Sequence, residues 1–390
     1  MTSYIMPTYA RLNVTFERGE GVWLWDEHQQ RYLDALSGIA VCNLGHAHPH
    51  VSDAICRQST KLLHTSNIYT IAVQEQLAQK LIEMSGMTNV FFSNSGAEAN
   101  EAAIKLARKF GHSKHIDKPS IIVTEKSFHG RTLATLSATG NPKIQHGFEP
   151  LVEGFVRVPY NDINAIEAVL ATNNTIAAIL VEPIQGEGGI NIPDNQYLTQ
   201  IRSICDRYDI LMMVDEIQTG IGRTGNFLAF QHHKLIPDVC TLAKALGNGV
   251  PIGACMAHGK AANLFTAGNH GSTFGGNPLA CSAALAVLET LSESSLITDV
   301  THKGNSICQG FKNALQDNPH IVDIRHQGLM IGIELDQPCA NLVAQALKSH
   351  LLINVTQETV IRLLPPLIIE PPQITQLVDT LSTLIFEHTR

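Results

Sequence analysis

The chain has 390 residues, of which 44% are hydrophobic and 16% are charged, and its formal net charge is −8 at pH 7. This length exceeds one ordinary core and suggests about two domains, and the composition is typical of a globular protein rather than a disordered or fibrous one. The negative charge and the lack of a Lys- or Arg-rich run argue against a nucleic-acid partner.

The sequence has no pattern that is typical of an exported or a membrane protein. Residues 1–7 lack the basic start and apolar core of a secretory signal, and no apolar run approaches the length of a membrane span. The eight cysteines are scattered singly, with no C-x-x-C pair for zinc or redox work. We therefore expect reduced thiols, a cytoplasmic protein and no membrane partner.

The first predicted element is a small hairpin over residues 19–26. Three histidines then alternate within residues 46–50, and on a strand they would share one face, as metal ligands can. Gly45 and Pro49 would interrupt such a strand. We therefore expect no metal site here.

Between residues 88 and 260, short apolar runs alternate with helical patterns, which is typical of βαβ units and a mainly parallel sheet. Ligands of such sheets bind just beyond the carboxyl ends of the strands. The candidate strands are residues 90–92, 121–123, 176–181, 210–214 and 252–256.

Further along, helical periodicity over residues 284–291 is followed by candidate strands at 330–335 and 361–364. The hairpin near the start could not form a core alone. We expect the two chain ends to form one small domain from residues 1–58 and 286–390, beside a large domain of residues 59–285.

Residues 91–103 predict a strand, a turn of small residues and an Ala-rich helix. The helix would point free backbone N–H groups at an anion, so that Ser95, Gly96 and Ala97 could hold a phosphate. A plain helix start, with Ser95 as the N-cap, explains the same residues.

The buried run at residues 210–214 delivers Asp215 at its end. An ionised Asp there could keep a cofactor's ring nitrogen protonated, and a helix cap or a metal ligand are the alternatives. The following glycines at 220, 222 and 225 have the spacing of a dinucleotide fingerprint. Because residues 215–219 separate them from the strand and residues 223–226 form helices poorly, we expect no NAD site.

Lys244 stands alone among small and apolar residues. Desolvation lowers the pKa of a lysine and so favours the neutral amine that attacks an aldehyde. Taken by itself, a lysine is more often a surface residue. Only the neighbouring motifs favour a role in chemistry.

Together, the motifs at residues 95–97, 128–131, 215–218 and 243–246 resemble those of class III aminotransferases of PLP fold type I, over nearly the whole chain. The resemblance implies an α/β fold in which a mainly parallel, seven-stranded sheet lies between helices, with a smaller α+β domain made from both chain ends. It also implies an aminotransferase that uses pyridoxal 5′-phosphate (PLP).

The resemblance further implies which residues hold this cofactor. Lys244 would carry it as a Schiff base and move the reacting proton, and Asp215 would pair with its ring nitrogen. Thr273 would reach the phosphate in the neighbouring subunit, so a homodimer is expected. The other implied cofactor-binding residues are Ser95, Gly96 and Ala97 at the phosphate, Phe128 on the ring face and Gln218 at the ring hydroxyl.

Two arginines are implied for the substrates, because a guanidinium grips a carboxylate with two hydrogen bonds. Arg131, with Ser272 nearby, would bind the α-carboxylate of an acylated diamino acid, and Arg362 that of glutamate or 2-oxoglutarate. Glu187 would pair with Arg362 while the diamino acid is bound and release it for glutamate. One pocket would then serve both substrates in a ping-pong cycle.

Within the class, the motifs at residues 186–189, 270–278 and 362–366 most resemble those of the enzymes that act on acetylornithine. The implied reaction gives the δ-amino group of N²-acetylornithine to 2-oxoglutarate, in arginine biosynthesis, with N-succinyl-diaminopimelate as a further donor. Ornithine and 4-aminobutyrate aminotransferases are the alternatives, and a catalytically silent PLP-binding protein is the alternative without turnover.

Overall fold

The computed structural model describes residues 4–390. The strands of this part of the chain, in order, are β1 (Phe16–Glu20), β2 (Trp23–Asp26), β3 (Arg31–Asp34), β4 (Asn89–Ser93), β5 (Ser120–Thr124), β6 (Phe155–Val158), β7 (Ile176–Val181), β8 (Leu211–Asp215), β9 (Val239–Leu242), β10 (Gly253–Ala257), β11 (Ile321–Gln327), β12 (Met330–Leu335), β13 (Leu351–Leu352), β14 (Asn354–Thr356) and β15 (Val360–Leu363).

The helices of the same part are α1 (Ser37–Ala40), α2 (Pro49–Ser59), α3 (Ala72–Ser85), α4 (Gly96–Ser113), α5 (Leu133–Ala138), α6 (Pro142–Gln145), α7 (Ile163–Thr172), α8 (Tyr197–Tyr208), α9 (Pro278–Glu293), α10 (Leu296–Ala314), α11 (Leu342–Lys348) and α12 (Pro371–His388). The predicted helical periodicity over residues 284–291 is the inner part of α9.

The central sheet has seven strands in the order β4-β10-β9-β8-β7-β5-β6. The five strands from β9 to β6 pair in parallel, whereas β10 runs antiparallel to both of its neighbours. The expectation of a mainly parallel, seven-stranded sheet is therefore confirmed. The five strands predicted in this region lie within one residue of their observed bounds.

Helices cover both faces of the central sheet. Side chains alternate along each strand, so successive residues pack against the helices of opposite faces. On β8, Leu211 and Met213 pack in the same cluster as α4, while Met212 and Val214 pack with α8 on the other face. Every residue of β7 and β8 is buried. Such continuous apolar runs are what a strand buried on both faces requires.

Two smaller sheets come from the ends of the chain. The first has the order β1-β2-β3-β13, in which Leu351 of β13 pairs in parallel with Leu33 of β3, so both chain ends share one sheet. The second, β11-β12-β15-β14, is antiparallel and contains the strands predicted at residues 330–335 and 361–364. The domain limits at residues 58 and 285 stay a prediction.

The helices were also compared with the length and hydropathy that a membrane span needs. Within residues 4–390 no single helix meets both requirements, and α9 with α10 meets them only as a pair bent by 75°.

Candidate active site

A cavity of about 400 Å³ opens at the carboxyl ends of the strands that share the direction of β8. This is the edge where ligands of open α/β sheets bind, and the volume suits a small cofactor with its substrate. Most of the wall comes from loops that directly follow strands, namely residues 94–97 after β4, 128–131 after β5, 182–187 after β7, 215–219 after β8 and 243–244 after β9.

The N-terminus of α4 faces this cavity through Ser95, Gly96 and Ala97. Ser95 is the N-cap, and its hydroxyl accepts a hydrogen bond from the Glu98 N–H at 3.2 Å. The plain-cap interpretation is therefore correct for this hydroxyl, yet the positive end of an 18-residue helix still points at the cavity. A Cβ on Gly96 would lie 2.7 Å from Ile217, so only glycine lets the turn pack this closely.

Asp215 is 4% exposed at the end of β8. One carboxylate oxygen lies 2.8 Å from both Asn100 Nδ2 and His129 Nδ1, and the other accepts from the Ile217 N–H at 3.1 Å. Three contacts therefore fix the position of this carboxylate. Asn100 was not predicted from the sequence, although a polar residue on the apolar face of an Ala-rich helix is the signal that could have shown it.

Lys244 begins a short 3₁₀ turn directly after β9, with φ of 44°. Its side chain lines the cavity, and Nζ makes no hydrogen bond or ion pair within the described part of the chain. Burial lowers the pKa of Lys244, and the nearby carboxylates of Glu187 and Asp215 only partly oppose this. The amine is therefore disposed toward its neutral, nucleophilic form.

The surroundings of the Gln218 side chain indicate whether the cavity fits PLP. Its Oε1 atom is buried and lacks a hydrogen-bond partner within residues 4–390. A buried polar atom left unpaired costs about 1–3 kcal/mol, which a ligand with a ring hydroxyl would recover. A Cβ on Gly186 would lie 2.1 Å from the same atom, so the glycine preserves the position of the amide. With Phe128 also on the wall, the residues present fit the cofactor.

Glu182 is a buried cavity residue that the sequence analysis did not identify. Its carboxyl group accepts from the Phe128 N–H at 3.1 Å and from the Gly186 N–H at 3.4 Å. Burial, and then the charge of Asp215, raise the pKa of Glu182 well above its ordinary value. The signal was its place directly after β7, which matches that of Asp215 after β8.

The two arginines that were predicted to bind substrate, Arg131 and Arg362, have different surroundings. Arg362 is 1% exposed on β15, and its guanidinium contacts Glu187 Oε1 at 2.6 Å and Asn354 Oδ1 at 2.7 Å. Arg131 lines the cavity, 5.8 Å from the ring centre of Phe128, and makes no ion pair within residues 4–390. Glu187 also lines the cavity whereas Arg362 does not, so the carboxylate stands between the cavity and the guanidinium.

The Glu187 carboxylate experiences opposing influences. Burial alone would raise the pKa of Glu187, but the charge and hydrogen bond of Arg362 outweigh it and leave the pKa below its ordinary value. Glu187 is therefore ionised and paired at neutral pH.

Ser272 and Thr273 do not line the cavity of their own chain. The Ser272 hydroxyl accepts from Asn94 Nδ2 at 3.2 Å and from the Gly275 N–H at 2.9 Å, one layer behind the wall. Thr273 is exposed. The structure therefore does not bring these two residues together with the other predicted site residues of the same chain.

Two further sequence motifs have ordinary surroundings. The glycine motif at residues 220–225 forms turns and opens no helix. His46 pairs with Asp34 and His50 with Glu289, each at 2.8 Å. Within residues 4–390, no group of three or more His, Cys, Asp or Glu side chains is placed to hold a metal ion.

Comparison with known proteins extends these observations. A family model described as aminotransferase class III matches residues 4–385. The acetylornithine aminotransferase of Nitrosomonas europaea is 57% identical over 98% of both chains, and that of Aquifex aeolicus is 47% identical over 98% of this chain and 100% of its own.

Solved structures agree with the sequence matches. The ornithine aminotransferase of Toxoplasma gondii ME49 has a TM-score of 0.95 at 34% identity, covering 99% of this chain and 94% of that one. The acetylornithine aminotransferase of Elizabethkingia anophelis has a TM-score of 0.87 at 36% identity, covering 98% and 96%.

Proposed function

The chain belongs to the class III aminotransferases, and from this premise we propose that it transfers the δ-amino group of N²-acetylornithine to 2-oxoglutarate. It is an aminotransferase that uses PLP, and its substrates are an amino acid and a keto acid. The proposed products are N-acetylglutamate 5-semialdehyde and glutamate, within arginine biosynthesis. The relatives named as acetylornithine aminotransferases, 47–57% identical over nearly the whole chain, support this donor.

The observation that carries the proposal is the position of Glu187 between Arg362 and the cavity. The reacting carbon of acetylornithine carries no carboxylate, whereas that of glutamate does. A permanently exposed guanidinium would favour glutamate alone. A Glu187 carboxylate that pairs with Arg362 when acetylornithine is bound, and leaves it free when glutamate is bound, suits two substrates that differ in this way.

When bound, PLP supplies an aldehyde that condenses with amines and a ring that takes up the electron pair released at the reacting carbon. Lys244 would hold PLP covalently through Nζ, and the same amine, when released, would accept the proton that leaves the amine-bearing carbon. Asp215, held in place by its neighbours, would pair with the ring nitrogen. Gln218 would satisfy its free oxygen at the ring hydroxyl, and Phe128 would lie on the ring face.

The phosphate would lie at Ser95, Gly96 and Ala97, where the α4 N-terminus supplies N–H donors and the positive end of the helix dipole. We propose that Thr273 completes this site from the partner subunit. Its exposure, and the fact that it does not line the cavity of its own chain, support that role.

Arg131 would bind the α-carboxylate of acetylornithine, and Arg362 that of glutamate or 2-oxoglutarate. Their surroundings support this division, because Arg131 faces the cavity without an ion pair among residues 4–390, while Arg362 is held by Glu187. We further propose that Ser272 assists Arg131 across the subunit interface, since the serine lies outside its own cavity.

A homodimer is supported by an exposed apolar patch beside Thr273. Asn67 Nδ2 donates to the carbonyls of Ser272 and Gly275 at 3.1 and 3.0 Å, which joins two exposed segments. Exposed apolar surface of this kind marks an interface, and two-fold dimers are the commonest assembly. The apolar residues are Leu62, Leu63, Ile68, Tyr69 and Phe274, each 48–81% exposed. Light scattering of the purified protein would measure its mass.

We propose that the enzyme works in the cytoplasm. All eight cysteines are free, and six of them are buried. Unpaired thiols persist in a reducing compartment.

The donor is tested by steady-state kinetics of the PLP-loaded enzyme with 2-oxoglutarate as acceptor. Acetylornithine should give the highest kcat/KM, with succinyl-diaminopimelate next and ornithine and 4-aminobutyrate lower. A higher value for ornithine or 4-aminobutyrate would overturn the assignment of the donor. No glutamate formation with any of the four would support a silent PLP-binding protein.

A further inference from the structure

The Glu187 loop, defined as residues 185–191, connects β7 to the segment before α8. Gln185 and Asn191 close it through two backbone hydrogen bonds of 3.1 Å. The Asn191 side chain donates to the Gly188 carbonyl at 3.0 Å and to Gln185 Oε1 at 2.9 Å. The two ends of the loop are therefore fixed to each other.

The middle of the loop is held from outside by side chains of the C-terminal part of the chain. The Glu187 carbonyl accepts from Thr356 Oγ1 at 2.5 Å and from Gln357 Nε2 at 2.9 Å. Arg325 donates to the carbonyls of Gly189 and Ile190 at 2.6 and 2.9 Å. Residues of β11, of β14 and of the turn after β14 thus supply four hydrogen bonds to the main chain of the loop.

Neighbouring residues hold these hydrogen-bond donors in position. Arg325 contacts Glu334 at 2.6 Å and Asp323 at 3.0 Å, which fixes its guanidinium toward the loop. Thr356 is buried on β14, the same strand whose Asn354 holds the far side of Arg362. One strand therefore positions both partners of the Glu187–Arg362 ion pair.

We propose that Arg325, Thr356 and Gln357 are positioning residues, which hold the main chain of the Glu187 loop still while the Glu187 carboxylate alone turns toward or away from Arg362. The proposal rests on the proposed function, in which one pocket takes two substrates. The hydrogen bonds to the main chain of the loop do not involve the Glu187 carboxylate, and this side chain is 35% exposed.

A fixed main chain has a definite consequence for substrate choice. An ion pair of 2.6 Å depends on geometry, and a shift of the loop would leave Arg362 uncovered. Glutamate would then gain access to the guanidinium, whereas acetylornithine would meet an unpaired charge beside its reacting carbon. Loosening the loop should therefore shift the preference from acetylornithine toward glutamate.

The test compares kcat/KM for acetylornithine with kcat/KM for glutamate, each measured as a single half-reaction of the PLP-loaded enzyme. Thr356→Val removes the hydroxyl without changing the shape of the side chain. Loss of a hydrogen bond of ordinary strength should lower the acetylornithine-to-glutamate ratio about three- to tenfold, and Thr356→Ser should restore it. Arg325→Lys, which keeps the charge but loses the fork, should act in the same direction.

A binding measurement complements the kinetics. Glutarate, an unreactive dicarboxylate, should bind Thr356→Val more tightly than the wild type in calorimetry, because Arg362 is less firmly covered. Thr359→Val is the matched control. Thr359 lies in the turn that follows β14, and among residues 4–390 its hydroxyl bonds only to the Gln357 carbonyl, at 3.4 Å, so this variant should leave both readouts unchanged.

The decisive comparison uses a Glu187→Ala background, as in a double-mutant cycle. With no carboxylate to position, Thr356→Val should change neither the ratio nor glutarate binding there. The proposal is overturned if Thr356→Val folds but leaves the ratio at the wild-type value, or if its effect persists without Glu187. Failure of the proposed function is distinguishable, because the wild-type enzyme itself would then not use acetylornithine.

Discussion

Replacing Asn100 with leucine should be costly, because this side chain joins three buried polar groups. Its Nδ2 atom donates to Asp215 Oδ2 and to the His129 carbonyl, and its Oδ1 accepts from Thr241 Oγ1, all at 2.8 Å. Asn100 is 0% exposed, so water cannot replace any of the three bonds. Leucine has a similar volume and removes all of them.

The magnitude follows from these contacts. A hydrogen bond to a charged group contributes about 1.5–3 kcal/mol, and a buried polar group left unpaired costs about 1–3 kcal/mol. The carbonyl of His129 and the hydroxyl of Thr241 are both stranded in Asn100→Leu. We expect the free energy of unfolding to fall by about 3–5 kcal/mol, and PLP to bind about tenfold more weakly because Asp215 loses an orienting donor.

Urea denaturation of the cofactor-free protein measures the first quantity, and a PLP titration followed by visible absorption measures the second. Asn89→Ala is the control, since Asn89 is exposed and makes one side-chain hydrogen bond, of 2.7 Å, to the Ala262 carbonyl. It should cost less than about 1 kcal/mol. If Asn100→Leu were as stable as this control, the buried network would not contribute to the stability of the fold.

Three further outcomes are expected. Lys244→Ala should abolish transamination while the far-ultraviolet circular dichroism stays unchanged, and residual turnover would contradict the assignment. Gly186→Ala should weaken PLP binding about tenfold, since its Cβ would lie 2.1 Å from Gln218 Oε1, and unchanged affinity would show that the amide is not used. Burial lowers the pKa of His46, but the hydrogen bonds and charges of Asp34 and Cys42 together outweigh it and raise the pKa from 6.5 to about 9. Because the folded-state pKa is the higher one, this stabilisation is complete below pH 6.5 and is lost as the pH rises toward 9. His46→Asn should therefore flatten the pH dependence of urea stability across that window, and an unchanged slope would refute the role of the pair.

The sequence predicted the centre of the large sheet well because the local pattern is strong there. β7 was predicted with its observed bounds, since all six of its residues are apolar and buried. β6 and β9 were missed, because each has only four residues and β6 is a partly exposed edge strand. The pairing of Leu351 with Leu33 could not be predicted, because nothing local specifies a contact between opposite ends of the chain.

The residues of the candidate site likewise divide into those that the sequence predicted and those that it did not. Residues in short motifs, such as Lys244 and Asp215, stand out in sequence because several motifs occur together. Asn100 and Glu182 acquire their importance only when separate strands and helices bring them beside Asp215. Arg325 is an extreme case, since it acts on a loop about 135 residues earlier in the chain.

The reversed strand β10 also bears on the order in which the parts of the cofactor site are synthesised. The strand that precedes the phosphate turn, β4, pairs only with β10 in the central sheet, and Gly253 of β10 approaches the carbonyl of Ser95 so closely that a Cβ there would lie 2.3 Å from it. Strand pairs this distant along the chain form slowly. Lys244 is synthesised before Gly253, so the residue that would carry PLP precedes the strand that packs against the anion-binding turn.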